Sequence, residues 1–200
     1  MYKIELSDVG SKRETIKKIR KEISQNIGLA KNTSAIEPLN FASYLFGYTC
    51  NQKEPVGLIE FFLYDQAFPS YDNAPYSQAT DLTKIVPMAQ MGHIRSVFFN
   101  KNYRRSKLFL LLLATTVKVA SQMGAHYMTA GTGIHNTEIL HLHKRAGMKF
   151  LGQYMVDDSL QKLSLLELAP LLNRANQITD KYLVDIDLKL INSLRNLKFK

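Results

Sequence analysis

Residues 92–152 constrain the fold most, because they carry a strand, a basic turn, a long apolar helix, a second strand, a short helix and a third strand without interruption. Residues 93–99 are rich in β-branched and aromatic side chains and predict the first strand. A turn over residues 100–102 then delivers Tyr103-Arg104-Arg105-Ser106-Lys107 to the start of a helix. That helix, over about residues 108–123, is apolar on nearly every side and stops at Gly124, so it must lie buried against a sheet. Residues 127–131 predict a second strand, Asn136 opens a helix that closes at Gly147, and residues 148–152 resume extended structure. Burial of the long helix fixes its N-terminus. Arg104, Arg105 and Lys107 therefore fall where free backbone N–H groups and the positive end of the helix dipole converge, a place suited to phosphate. The same basic turn is also what plain solvated surface looks like.

The remaining chain reads as scaffold around this unit. Residues 1–6 alternate apolar and polar as an edge strand does and lack the apolar run of a signal peptide, so a cytoplasmic location is expected. Ser11-Lys12-Arg13-Glu14 has the form of a capping box, and Ile16, Ile19, Ile23 and Ile27 then trace one apolar stripe up to Gly28. The opposite face carries Lys12, Lys17, Lys18, Arg20 and Lys21, expected either to be solvated or to meet an acidic partner. Residues 41–50 and 56–64 predict a hairpin about the polar turn 51–55. Within it Glu60 is an acid among aromatic neighbours: a candidate general base, or else the ion-pair partner of Arg95 on an adjoining strand, a pair that ties the two strands together and can orient an acceptor's amine or carboxylate. Residues 66–90 hold Pro69, Pro75, Pro87, Tyr71 and Tyr76 without a clear period, and so long a run is expected to be a loop that covers a substrate. Beyond Gly152, residues 162–168 predict a last strand and 171–177 a short helix. The stripe Leu183, Ile186, Leu190, Leu194 and Leu197 predicts a terminal helix. We expect one domain over residues 1–200, with 167–200 as a helical extension packed on it.

Charge and composition narrow the chemistry. With 26 Lys and Arg against 17 Asp and Glu the chain carries +9, which suits a polyanionic partner such as coenzyme A, an acyl carrier protein, nucleic acid or an anionic membrane. Nucleic acid is the least favoured, since no basic stripe interleaved with aromatics is present. Cys50 is the only cysteine, so neither an intramolecular disulfide nor a thiolate zinc site is expected, and no metal is implied. No apolar run is long enough to span a bilayer. No Ser-His-Asp order, phosphate-binding P-loop or dinucleotide fingerprint is present either, which favours direct transfer over covalent catalysis.

The spacing of Tyr103-Arg104, the long helix, Asn136, Leu142, His143, Gly147 and Met148 resembles the GNAT superfamily of acyl-CoA-dependent N-acyltransferases. In that superfamily a strand ends in an R-x-x-G-x-G/A turn whose amides bind the pyrophosphate of coenzyme A. A later helix follows an N-x-x-A-x-x-L-Y-x-x-x-G-F pattern. Here Arg104 matches the first pattern while Lys107 and Phe109 stand at its glycines. Asn136, Leu142 and Gly147 match the second, with Ile139, His143 and Met148 at the other positions. A narrower resemblance, over residues 37–155, is to the branch containing acyl-homoserine-lactone synthases and N-acyl amino acid synthases. It is carried by His93-Ile94-Arg95, Tyr103-Arg104-Arg105 and residues 140–152. Departures from that branch are specific. Its strand Glu falls on Gly92, its Arg in the preceding strand on Glu60, and its paired upstream acids on Glu37 and Asn40.

The resemblance implies an α/β (α+β) fold with a central mixed, mostly antiparallel twisted sheet flanked by helices and a C-terminal helical extension. It implies transfer of an acyl group, long-chain in this branch, from acyl-CoA or acyl carrier protein to the amine of an amino acid or another small molecule. Phe98 and Phe99 would supply backbone donors to the thioester and its pantetheine arm. Arg104, Arg105, Ser106, Lys107 and Asn136 would complete the cofactor site. His143, at the position of the superfamily's frequent Tyr, would protonate the leaving sulfur, and the amine proton would pass to Glu60 or His93 directly or through water. A non-catalytic module that binds acyl-CoA or a carrier protein through a degenerate site is the competing expectation.

Overall fold

The computed structural model of the chain describes residues 2–10, 12–26, 37–49, 53–103, 106–156, 158–182, 184 and 186–197. Ser11, Ile27, Gly28, Cys50, Arg104, Arg105 and Leu183, together with the Ile23 side chain, lie outside the described residues. The elements run β1 (Tyr2–Ser7), α1 (Arg13–Asn26), β2 (Ser43–Thr49), β3 (Gly57–Leu63), α2 (Tyr64–Ala67), β4 (Met91–Phe99) and α3 (Lys107–Gln122). They continue with β5 (Tyr127–Gly133), α4 (Thr137–Arg145), β6 (Lys149–Val156), β7 (Ser159–Glu167), α5 (Ala169–Lys181) and α6 (Leu188–Arg195). The strands form one seven-stranded sheet in the order β1-β2-β3-β4-β5-β7-β6. The β4–β5 pair is parallel and every other pair antiparallel, so the sheet is mixed and mostly antiparallel as expected.

The inner strand β3 reads as an almost continuous apolar run because both of its faces are covered. Ile59, Phe61 and Leu63 pack under α3 with Leu108, Leu112, Val119 and Ala120, and Leu168 of the α5 approach and Ile191 and Leu194 of α6 join the same cluster. Leu58 and Phe62 point the other way, onto Ile16 and Ile19 of α1 together with Tyr44 and Phe46. α3 and α4 end where the sequence predicts, at Gly124 (φ 98°) and Gly147 (φ 78°), left-handed positions that glycine occupies without a Cβ penalty.

Three expectations are corrected. Residues 66–90 are not an open loop. After the single turn α2 they form short 3-10 turns at Tyr71–Asn73, Pro75–Gln78, Leu82–Lys84 and Met88–Gln90. Tyr71, Tyr76, Leu82 and Val86 are buried against Met91, Tyr154, Leu163 and Leu165, and the Tyr71 hydroxyl donates to the Val86 carbonyl at 2.7 Å. Side-chain anchors rather than a period set this segment, which makes it a fixed wall. Helix α5 is longer than residues 171–177 because Pro170 falls in its first turn, where its missing N–H costs no bond. Helix α6 begins only after Asp187, whose side chain caps Lys189 N–H at 2.8 Å, so Ile186 of the predicted stripe precedes it. The end of α6 is fastened to α2, with Gln66 Nε2 donating to the Leu194 carbonyl at 2.6 Å and Arg195 paired with Asp65 at 3.0 Å. Among the described residues no helix is long and apolar enough to cross a membrane.

Candidate functional site

The centre of the sheet opens. β4 and β5 pair from Met91–Tyr127 to Ile94–Ala130 and no further. On its other side β4 carries a bulge: Glu60 opposes Ser96 and Phe61 opposes Ile94, so Arg95 is the extra residue. A bulge bends its strand and strengthens the local twist. Past it β4 follows β3 to the Phe99–Gly57 pair, while β5 follows β7 to the Gly133–Gln161 pair. Among the described residues no strand fills the gap. The facing edges of residues 96–99 and 131–133 thus offer backbone donors and acceptors to a ligand. Phe98 and Phe99 lie on the β4 arm of this gap as predicted. The Phe99 side chain is buried under α3, its ring 4.9 Å from that of Phe109, and Phe98 is half-buried on the α1 side.

At the open end of β4 a 3-10 turn, Lys101–Tyr103, leads into α3. Lys107 is the first helical residue and is exposed. Ser106 stands at the N-cap position but no side chain caps the helix there; its hydroxyl donates backwards to the Tyr103 carbonyl at 2.7 Å. The helix start is thus left open to an anion. Arg104 and Arg105 lie outside the described residues.

Glu60 and Arg95 meet as the sequence suggested, with Arg95 Nη1 2.8 Å from Glu60 Oε1. The carboxylate has further partners. Arg20 Nη1 donates to Oε1 at 3.1 Å and Oε2 at 2.9 Å, and the Tyr44 hydroxyl lies 3.0 Å from Oε1 while accepting from Leu39 N–H at 2.8 Å. Arg20 therefore does not belong to the solvated face of α1: it is 7% exposed, because β3 presents a buried acid under that turn of the helix. Lys12, Lys17 and Lys18 keep surface pairs with Glu5, Glu37 and Glu54. Burial pulls the Arg20 guanidinium below its ordinary value, and the Glu60 charge opposes that shift. Burial, and then Glu60, push the Tyr44 phenol far above its ordinary value, so it remains a donor. Arg95 uses Nη1 alone on the protein; among the described residues its other donors have no partner, and the side chain is 22% exposed at the root of the gap.

The two α4 residues are placed separately from this cluster. Asn136 caps the helix, its Oδ1 accepting from Ile139 N–H at 3.3 Å. His143 Nδ1 lies 3.3 Å from the Ser164 hydroxyl, and burial lowers its pKa, which keeps the imidazole neutral. His93 is more deeply enclosed. Its ring stacks on Tyr76 at 4.1 Å, lies 5.4 Å from Phe62, and places Nδ1 2.8 Å from Thr129 Oγ1. Desolvation, and secondarily the Arg95 charge, push its pKa down to about 3. As a neutral, encaged ring it is a poor proton acceptor at neutral pH.

Of the residues of this centre, sequence reasoning passed over Tyr44 and Tyr154, placed Arg20 on the outer face of its helix and gave Tyr76 only as part of the 66–90 loop. Arg20 carries a signal, since it breaks the Ile16, Ile19 stripe by a single position and a long cation there can turn inward. Tyr154 has none, because the predicted strand ends before it. A cavity of about 280 Å³ lined by Tyr127, Gly147, Leu165 and Leu171 lies at the start of β5, away from the gap. Among the described residues no three His, Cys, Asp or Glu side chains gather as a metal site requires.

A search of curated protein sequences returns no match. Solved structures do match. A CoA-dependent acyl-homoserine lactone synthase, BjaI, solved with SAM and isopentyl-CoA, is 13% identical with a TM-score of 0.65 over 97% of this chain and 99% of its own. MesI, also a CoA-dependent acyl-homoserine lactone synthase, is 14% identical with a TM-score of 0.61 over 93% and 98%. NAA60 of Arabidopsis thaliana, in complex with acetyl-CoA, is 12% identical with a TM-score of 0.59 over 84% and 99%. At these identities the likeness is one of fold. The neighbours include the lactone-synthase branch that the sequence resembles, and membership follows from the sequence itself: the acetyltransferase (GNAT) family model matches residues 15–148, from α1 to the end of α4, and the chain belongs to that family.

Proposed function

We propose that the protein is an N-acyltransferase that moves an acyl group, long-chain in preference, from acyl-CoA or an acyl carrier protein to the amine of an amino acid or another small molecule. The observation that carries this is the parting of β4 from β5 beyond Ile94–Ala130, with the uncapped start of α3 at its open end. The gap arms would bind the amide-rich arm of the donor, and Ser106 and Lys107, with Arg104 and Arg105, its phosphates. The +9 charge suits either donor. Val97, 46% exposed on the β4 arm, supplies apolar wall for an acyl chain.

In the reaction the amine nitrogen attacks the thioester carbonyl, the C–N bond forms, the C–S bond breaks, and the amine proton ends on the departing sulfur. We assign His143, held neutral, to a hydrogen bond with that sulfur. We assign Glu60 to fixing Arg95 rather than to taking the amine proton, because both its oxygens are already engaged. Residues 1–200 would act as one unit with 167–200 as an extension, in the cytoplasm, where acyl thioesters are held. The occupied Glu60 also favours one competitor, a non-catalytic module that binds the acyl donor. Thioester consumption by the whole protein, with acyl-CoA and acyl carrier protein donors and a panel of amines, decides between them. Release of thiol with an acylated amine detected by mass spectrometry is expected; donor binding without turnover under any pairing would leave the module.

A further inference from the structure

Three buried polar atoms beside the gap have no protein partner among the described residues. Tyr154 is 5% exposed and its hydroxyl lies where a Cβ on Gly131 would be, against the first β5 residue beyond the last β4–β5 pair. Tyr76 is 9% exposed, its ring 5.2 Å from that of Tyr154, and its hydroxyl senses the charges of Tyr154, Arg95 and Glu60. His93 is 3% exposed. Thr129 Oγ1 has the Gly92 carbonyl at 3.2 Å, the Tyr64 hydroxyl at 2.9 Å and His93 Nδ1 at 2.8 Å; with its one proton on the carbonyl, it accepts from Tyr64 and from a ring proton on Nδ1. Nε2 is then a lone pair without a donor. A buried hydroxyl or imidazole nitrogen left unpaired is costly, and native proteins keep few of them. Several in one aromatic cluster, on the wall that residues 66–90 build over β4 and β5, mark a place where a ligand supplies the missing bonds.

Their chemistry defines that ligand. Both phenols are pushed up by burial, Tyr154 to about 12, so both remain O–H donors. The unused donors of Arg95 add a cation. Donors and a cation together match a carboxylate, and the single acceptor matches an N–H. Resting on the acyltransferase reading above, we propose that Tyr76, Tyr154, His93 and Arg95 form the acceptor subsite and that the acceptor carries a carboxylate close to its amine, as an amino acid does. The carboxylate sits on the Arg95, Tyr76 and Tyr154 donors, and His93 Nε2 accepts from the amine and turns its lone pair towards the gap.

The test uses the full chain and the standard amino acids, each paired with its α-carboxamide, in two readouts. The first is binding by saturation-transfer NMR without any acyl donor; the second is acyl transfer. At least one amino acid should bind and its carboxamide bind about tenfold or more weakly, the scale of a lost bond to a charged group. Tyr76→Phe and Tyr154→Phe should abolish that preference without lowering the melting temperature, because each deletes a hydroxyl that bonds nothing among the described residues. Equal binding of acid and amide, a preference that survives both variants, or a drop in melting temperature with ligand binding unchanged would overturn the subsite. Selective amino acid binding with no acyl transfer from any donor would support the subsite and sink the acyltransferase reading instead.

Discussion

Arg20 Nη1 stands 2.9 Å from Oε2 of Glu60, 40 residues further along the chain, and fastens α1 to the middle of the sheet. With Glu60 fully buried and Arg20 nearly so, neither charge recovers its hydration if the other is removed. Arg20→Met should therefore cost roughly 3 kcal/mol of folding stability, the usual scale for breaking a buried pair. Glu60→Gln should cost at least as much, since it leaves Arg20 and Arg95 facing a neutral amide. Urea denaturation of both variants at neutral pH reads this directly. A Glu60→Gln protein as stable as wild type would remove the anchoring role and return the carboxylate to the list of bases.

Much of the architecture was legible because burial leaves a pattern. The mostly apolar α3 required a sheet beneath it, the Ile16 and Ile19 stripe required a partner face, and Gly124 and Gly147 punctuated their helices. What escaped has a physical common cause: contacts between residues far apart in sequence. Arg20 belongs by spacing to a wet face, yet a buried acid on β3 draws it in. The bulge at Arg95 comes from a register that neither strand shows alone. The wall over residues 66–90 is set by where Tyr71 and Tyr76 find neighbours, and those neighbours include Tyr154.

His93 should make the fold acid-sensitive in a definite window. In the unfolded chain it takes up a proton near 6.5, but in the fold only at about 3. Between these values the unfolded state binds more protons. The stabilisation is whole above pH 6.5 and is lost as the pH falls towards 3, at about 1.4 kcal/mol per pH unit for a single group. Burial lowers His143 as well, so it acts with the same sign. Wild type should lose about 2 kcal/mol from this imidazole between its ordinary pKa and about pH 5, and His93→Gln should flatten that slope when urea midpoints are followed against pH. An identical slope in the variant would assign the acid sensitivity elsewhere.

Met128 explains why Gly92 lacks the side chain found in the resembling branch. A Cβ on Gly92 would run into Met128 Sδ and lie 3.3 Å from the Phe62 carbonyl, on the buried α3 side of β4. Gly92→Glu should destabilise by about 1–3 kcal/mol from overpacking alone, with the unpaired carboxylate adding to it. The double variant Gly92→Glu/Met128→Ala should recover part of the packing loss. Chemical denaturation of the single and double variants compares the two, and additive losses would show that Met128 is not the obstacle.

The exposed wall of the gap sets an expectation for the acyl chain. Val97 is 46% exposed on the arm of β4 that β5 no longer covers, and Phe98 beside it is only half-buried. An acyl chain laid on the Val97 face of that arm would take this side chain out of water, and each methylene buried is worth about 0.8 kcal/mol, or about fourfold in affinity. The KM for the donor should fall by that factor per methylene from acetyl upwards, until the apolar wall is filled, while kcat changes little because ground state and transition state share the contact. Val97→Lys should flatten the series from its long end and leave acetyl-CoA almost unaffected, since the shortest donor does not reach the side chain. Steady-state thiol release with donors from acetyl to dodecanoyl measures it. A KM that stays level along the series in wild type would mean that the chain leaves the protein for solvent.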